Sequence, residues 1–332
     1  MSLTKSKGKS LRPDGFNHEV LGKIAVVGLS LAFLALTTAY AQAPAGPNRP
    51  AEVPEGYVIT PFGYFHPSCV LRLAEGETLL ADGRVVQHAD GTLETVPVCA
   101  YPRYTARGEM VIVGAAGVLP PTITHSWVDW GNTTTSSSYG ELKATWTVPP
   151  GPSSNDGQTL YFFPGLQDTS DVVSILQPVL GWNSDFGSAW GIASWNCCPS
   201  GVTVESSPLS VSTGDEIQGT IKSTCSAGTL SCSKWDVTTK DVTTGKSTKL
   251  NNTPSEGQTF NWAFDGAVEV YNVVKCKDFP SNGSITFSSV ALYNDSFVKI
   301  SGPGWTLGKT SGLSPSCSYG GTVAATKVTL DY

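Results

Sequence analysis

The sequence predicts an all-β protein: an antiparallel double-sheet β-sandwich preceded by a small β-rich N-terminal unit. From Thr122 onward, short apolar or alternating runs recur (ELKATWTV, TLYFFPG, VVSILQPVLGW, SAWGIASW, TFNWAFDGAVEVYNVV), separated by Gly, Asn, Asp and Pro turns. No stretch keeps a convincing helical period. The 332 residues include 35 Gly, 22 Pro and 9 Trp but only 2 Met, which favours a loop-rich β protein over a helical bundle. With 40% hydrophobic and 14% charged residues the chain can bury a sizeable core, so disorder is excluded.

In chain order, Lys5, Lys7, Lys9, Arg12 and Lys23 precede a uniformly apolar run at residues 24–36, followed by Ala39-Tyr40-Ala41. Residues 1–41 therefore predict a secretory signal peptide, because the run is shorter than the roughly 20 residues that span a bilayer; the alternative is an uncleaved anchor extending through Ala41. A secreted, extracellular protein without stable membrane association is expected, and its eight cysteines become disulfide partners. Residues 42–56 are Pro-rich and read as an extended linker. Residues 57–121 form a compact propeptide or accessory unit: Asp82-Gly83 and Asp90-Gly91 supply turns, and Cys69 with Cys99 supplies an internal bridge. Pro120-Pro121 punctuates the chain before the sandwich, residues 122–332. Within it Cys225 and Cys232 enclose a short Gly/Ser loop and read as a local bridge, while the pairing of Cys197, Cys198, Cys276 and Cys317 stays open.

Charge narrows the function. The balance of 21 Lys+Arg against 27 Asp+Glu gives −6, which argues against a nucleic-acid partner. All six arginines precede Thr122; beyond it stand 11 lysines and 17 acidic residues. The four histidines are His18, His66, His88 and His125, so nothing later can supply an imidazole. GxSxG, HExxH, the Walker A loop and GxGxxG are absent, and neither metal nor cofactor is expected. Chemistry in the larger part must run on carboxylates, amides, hydroxyls or cysteines.

Two polar residues interrupt strands that look apolar on both faces: Gln177 in Ser174-Ile175-Leu176-Gln177-Pro178-Val179-Leu180, and Glu269 in Ala267-Val268-Glu269-Val270-Tyr271. A carboxylate with no nearby basic residue in such a strand is costly to bury. On pattern alone, Gln177 could tie a backbone group and Glu269 could face solvent at a sheet edge.

A longer ordered series of motifs bears on the choice. Trp146-Thr147-Val148-Pro149, Gly165-Leu166, Ile175-Leu176-Gln177, Ala189-Trp190, Ser194-Trp195, Ser212-Thr213-Gly214-Asp215-Glu216-Ile217, Thr243-Thr244-Gly245-Lys246 and Val268-Glu269 together resemble the eqolisin-type glutamic peptidases. The resemblance spans about residues 125–295, and a more distant likeness to neprosin-type prolyl endopeptidases accompanies it. It implies a secreted acid endopeptidase on a β-sandwich, with Gln177 and Glu269 as the catalytic dyad. Glu269 would take a proton from a water held between the two, and the Gln177 amide would stabilise the oxyanion. Trp127, Trp130, Trp190, Trp195 and Asp168 are the candidate substrate-binding residues of a monomer acting on protein or peptide substrates. Two departures stand out: the family's Trp-Tyr-Glu-Trp segment is matched by Trp190-Gly191-Ile192-Ala193-Ser194-Trp195, without a carboxylate, and its Gly-Ile-Asp by Gly165-Leu166-Gln167. Two other classes fit the same residues. One is a carbohydrate-binding or adhesion module using surface aromatics; the other is a glycan-active hydrolase or lyase pairing Glu269 with Asp185 or Asp265.

Overall fold

The computed structural model describes residues 48–80, 82–111, 126–170, 175–198 and 201–332. The expected signal peptide, the first part of the linker and the boundary around Pro120-Pro121 lie outside the described residues. Among those described, helical structure is confined to 3₁₀ turns such as Pro67–Cys69 and Cys276–Asp278, and no helix is long and apolar enough to cross a membrane.

Two large sheets form the sandwich. One has seven strands in the order Ser247–Pro254, Lys234–Asp241, Glu216–Ser223, Tyr139–Thr147, Ser284–Asn294, Lys327–Asp331 and Gly320–Ala324. The other runs Thr306–Lys309, Trp127–Thr134, Trp262–Tyr271, Thr159–Gln167, Ile175–Trp182, Trp190–Cys197, Thr203–Ser206 and Val70–Leu73, with Leu209–Ser210 as a ninth strand beside Trp190–Cys197. Its pairs are antiparallel except the last, Thr203–Ser206 with Val70–Leu73, which is parallel.

Alternation along each strand explains why the Gln177 and Glu269 strands read as apolar on both faces. Leu176, Leu180, Ile192 and Val268 point between the sheets, where they meet Trp146, Ile217, Ile221 and Phe287. Each such burial contributes about 1.5–3 kcal/mol. The other face, with Ile175, Val179, Ala193, Ala267 and Tyr271, is covered as well, because Val53, Tyr57, Ile59, Phe62, Tyr64 and Phe65 pack onto it as a second apolar cluster.

The N-terminal segment is thus bound into the sandwich. It contains two small sheets, Val58–Thr60 with Gly63–Phe65, Arg103–Tyr104 and Met110–Val111, and Thr78–Leu79 with Val85–Gln87 and Leu93–Thr95. Beyond these it donates Val70–Leu73 as an edge strand of the large sheet. Packing begins within the Pro-rich stretch, where Val53 is buried. Cys69–Cys99 and Cys225–Cys232 are bridged as the sequence predicts. The pairings left open resolve into a vicinal Cys197–Cys198 disulfide and a Cys276–Cys317 bridge.

Buried carboxylates shape the response of the sandwich to pH, Asp129 and Asp265 among them. Both oxygens of Asp265 are buried without a partner among the described residues, and a Cβ on Gly131 would collide with Oδ1. Asp129 accepts the Gly320 N–H at 2.9 Å through Oδ2, while Oδ1 is unpartnered. Burial pushes both carboxyls up to about 7; at Asp129 the nearby Asp331 adds to the rise, and the Gly320 N–H and Lys309 oppose it. The folded state therefore holds protons that the unfolded chain releases near pH 4. Stability from these groups is complete below about pH 4, declines as pH rises to about 7, and levels off beyond, a loss on the order of 4 kcal/mol each. Thermal denaturation should show the highest Tm near pH 3–4, and Asp265→Asn should flatten the decline. A Tm that increases from pH 4 to 7 in the unaltered protein would contradict this assignment.

Candidate active site

Glu269 lies in the Trp262–Tyr271 strand, opposite Tyr161 on one side and Trp127 on the other. A register shift between Val268 and Glu269 sets Ser126 and Trp127 beside the carboxylate. Ser126 Oγ donates to Oε1 at 2.9 Å, Tyr271 Oη to Oε1 at 2.6 Å, and Trp127 Nε1 to Oε2 at 3.1 Å. The group is fully buried, and burial outweighs these three donors, pushing the carboxyl up to about 7. Tyr271 was legible only in part: it follows Glu269 by two residues, so it shares its face, but nothing in the sequence marks its hydroxyl as a donor.

Gln177, in Ile175–Trp182, is equally buried. Its Nε2 donates to the Pro61 carbonyl at 3.3 Å, whereas its Oε1 is buried without a partner. Pro61 belongs to the turn between Val58–Thr60 and Gly63–Phe65, so a peptide carbonyl from the N-terminal segment rests on the Gln177 amide. Alongside it, Tyr161 Oη donates to the Ile59 carbonyl at 3.3 Å.

Gln177 and Glu269 occupy the same face but are not hydrogen-bonded to each other. Glu269 aligns with Tyr161 and Gly181, and Gln177 stands four residues from Gly181 along its strand, about 13 Å at ~3.3 Å per residue, and two strands across from Glu269, about 10 Å at ~4.8 Å per strand. Between these two rows the face carries Phe163, Val179, Ala193 and Ala267. The strip of this face from Glu269 at one end to Gln177 at the other, hereafter the trough, is covered by residues of the N-terminal segment.

The remaining sequence candidates separate. Trp127, Trp130 and Trp195 lie in the cluster on the trough face, with Trp195 opposite Gln177. Trp190 does not: alternation turns it into the inter-sheet core, against Phe162 and Trp182. Asp168 is taken up by loop structure, accepting from the Ser170 N–H and hydroxyl at 2.8 and 2.7 Å and from the Thr259 N–H at 2.8 Å. Neither Asp185 nor Asp265 pairs with Glu269. Asp185 is bound to Arg72 at 2.8 Å, and Asp265 lies beside Gly131.

Sequence reasoning missed the arginines that hold the N-terminal segment down. The Arg72 guanidinium spans Asp185 and Glu205 at 2.8 and 2.7 Å. Arg103 is buried over the Phe62 ring, with Nη1 3.0 Å from Cys198 Sγ and 3.7 Å from Cys197 Sγ; burial lowers its pKa to about 10. Among the described residues no group of three or more His, Cys, Asp or Glu side chains is arranged to hold a metal ion.

No protein-family model and no curated protein sequence matches the chain. Among solved structures it is similar to scytalido-glutamic peptidase bound to a peptide-based transition-state analog, with a TM-score of 0.46 and 17% identity over 62% of this chain and 98% of that one. It is also similar to SCP-B, a member of the eqolisin family in complex with the tripeptide Ala-Ile-His, at a TM-score of 0.44, 17% identity, and the same coverage of 62% and 98%. Aspergilloglutamic peptidase from Aspergillus niger gives 0.38 and 20% over 52% and 98%.

Proposed function

We propose that this chain is the latent form of a secreted endopeptidase of the glutamic type, in which Glu269 is the general base and the Gln177 amide is the oxyanion donor. The observation that carries the reading is the Gln177 amide donating 3.3 Å to a peptide carbonyl, Pro61 O, on the face that also holds a buried carboxylate with no basic partner among the described residues. A peptide carbonyl is the group such an enzyme must bind and polarise.

In the working form the Pro61 turn has left the trough and a substrate strand with one water replaces it. Glu269, ionised, removes a proton from the water; the hydroxide adds to the scissile carbonyl; the Gln177 N–H stabilises the oxyanion; and protonated Glu269 returns the proton to the leaving nitrogen. The reading requires the Glu269 and Gln177 side chains to converge over the trough once the turn withdraws. Ser126, Trp127 and Tyr271 hold the carboxylate and favour its ionised form.

The same donors set the pH behaviour. In the covered protein burial holds the Glu269 carboxyl at about 7, so it is protonated and inert as a base in acid. Departure of the N-terminal segment re-wets it, the desolvation cost falls, and three donors then favour ionisation below neutrality. The pKa of Glu269, followed by isotope-edited infrared difference spectroscopy against Glu269→Gln, should drop on processing. An unchanged value near 7 would contradict an acid enzyme. The direct test is a peptide-library digest, at several pH values, by the full chain cut within residues 112–125; no cleavage at any pH would overturn the proposal.

A further inference from the structure

Arg72, on the edge strand Val70–Leu73, lies in the same cross-strand row as the proposed oxyanion donor: Gln177 faces Trp195, Trp195 faces Glu205, and Glu205 faces Arg72. Its Nε donates to Glu205 Oε1 at 2.8 Å, and its Nη2 reaches Glu205 Oε1 and Asp185 Oδ1 at 2.7 and 2.8 Å. The carboxylates are buried, with side chains 1% and 4% exposed, while the arginine is 25% exposed. Asp185 is also fixed independently of Arg72, because Ser184 Oγ donates to its Oδ2 at 2.9 Å. Tyr161 links this seat to the site: its hydroxyl meets Ser184 Oγ at 3.4 Å, its strand neighbour is Glu269, and the charges of Asp185, Glu269 and Glu205 all reinforce the rise that burial causes in its pKa.

The seat fits a guanidinium, whose planar fork bridges two carboxylates. Yet the chain contains no arginine after Arg107. Once the N-terminal segment leaves, the sandwich has no guanidinium of its own to return to two carboxylates that are unfavourable to leave buried and unpaired. What next occupies the trough is the substrate. We propose that Asp185 and Glu205 form a subsite that binds an arginine side chain of the peptide substrate, so that Arg72 in the latent chain is a stand-in for that residue. Glu205 is two strands from Gln177, about 10 Å at ~4.8 Å per strand, which an extended peptide covers in about three residues. This specificity rests on the peptidase reading above; the cation seat itself does not.

Two measurements separate them. In the full chain, Arg72→Ala should lower Tm, and millimolar ethylguanidinium should restore much of the loss saturably, beyond sodium chloride of equal ionic strength. The triple variant that adds Asp185→Asn and Glu205→Gln should show no such recovery. If Arg72→Ala does not fold, Arg72→Gln takes the same titration. Recovery no greater than with sodium chloride would overturn the cation seat. For the subsite, the processed chain is given peptides that carry arginine or its neutral isostere citrulline at each position in turn. One position about three residues from the cleaved bond should favour arginine at least tenfold in kcat/KM, and Asp185→Asn/Glu205→Gln should erase that advantage. Cleavage without preference at any position would overturn the subsite while leaving the peptidase reading intact. No cleavage of any peptide would overturn the peptidase reading and the subsite together, and the ethylguanidinium titration would still decide the seat.

Discussion

Glu269→Gln should lower kcat/KM of the processed protein by about 10²–10⁴, the range that removing a positioned general base costs. The replacement is nearly isosteric, and it cannot ionise. In the intact chain, where burial holds the Glu269 carboxyl at about 7, a neutral amide removes a desolvation penalty that grows as pH rises. The uncut variant should therefore be at least as heat-stable as the uncut parent at pH 7, while the processed variant keeps its lowered kcat/KM at every pH. Gln177→Met, which keeps the length of the side chain and removes the amide, should cost about 10²–10³ in kcat, the usual loss of one oxyanion donor. In the latent chain it sacrifices the bond to Pro61 but also removes the unpartnered Oε1, so stability should change by no more than about 1 kcal/mol. Initial rates on the processed variants and thermal melts on the uncut ones check both; substantial activity in either folded variant would refute the dyad.

The second large effect concerns the N-terminal segment. Gln177 and Glu269 are both fully buried in the intact chain, and the Pro61 turn fills the trough on their face. Peptide hydrolysis by uncut protein should be below about 1% of that by protein cut within residues 112–125, since a substrate cannot displace a tethered segment present at high effective concentration. A chain whose 112–125 segment is replaced by Gly and Ser, and so is resistant to cutting, should stay inactive at any pH that leaves it folded. Full activity from that uncut chain, verified intact by mass spectrometry, would make the segment an accessory part rather than a cover. No disulfide joins the segment to the sandwich among the described residues, since its cysteines pair internally as Cys69–Cys99. Release after cutting must therefore overcome the edge strand, the Arg72 and Arg103 contacts, the hydrogen bonds at Ile59, Pro61, Tyr64 and Leu73, and the apolar packing of the segment in both clusters.

Much of this architecture was legible in local patterns. Strand alternation and turn residues act over a few positions, so the sandwich, the Cys225–Cys232 bridge and the internal Cys69–Cys99 bridge could be read from spacing and composition. Gln177 and Glu269 stood out for the same kind of reason, as polar residues in strands apolar on both faces. That two-sided pattern carried more than it disclosed: it required a cover over the outer face, but an apolar run does not say which segment supplies it. Trp190 shows the limit from the other side, because its direction depends on strand register, and a one-residue step exchanges trough for core.

What the sequence determined alone was the set of local structures and the chemistry available: β strands, no imidazole beyond His125, no arginine beyond Arg107, and two conspicuous polar side chains. Tertiary structure decided everything that depends on pairs distant in the chain. The Pro61 carbonyl reaches Gln177 across 116 residues, Arg72 reaches Glu205 across 133, and Ser126 reaches Glu269 across 143. Such contacts arise from which strands neighbour one another and in what register, quantities set by burial summed over both sheets rather than by the preferences of any short segment. A carboxylate's pKa and an amide's partner belong to that level, which is why the residues of the candidate site could be named from the sequence but not their state.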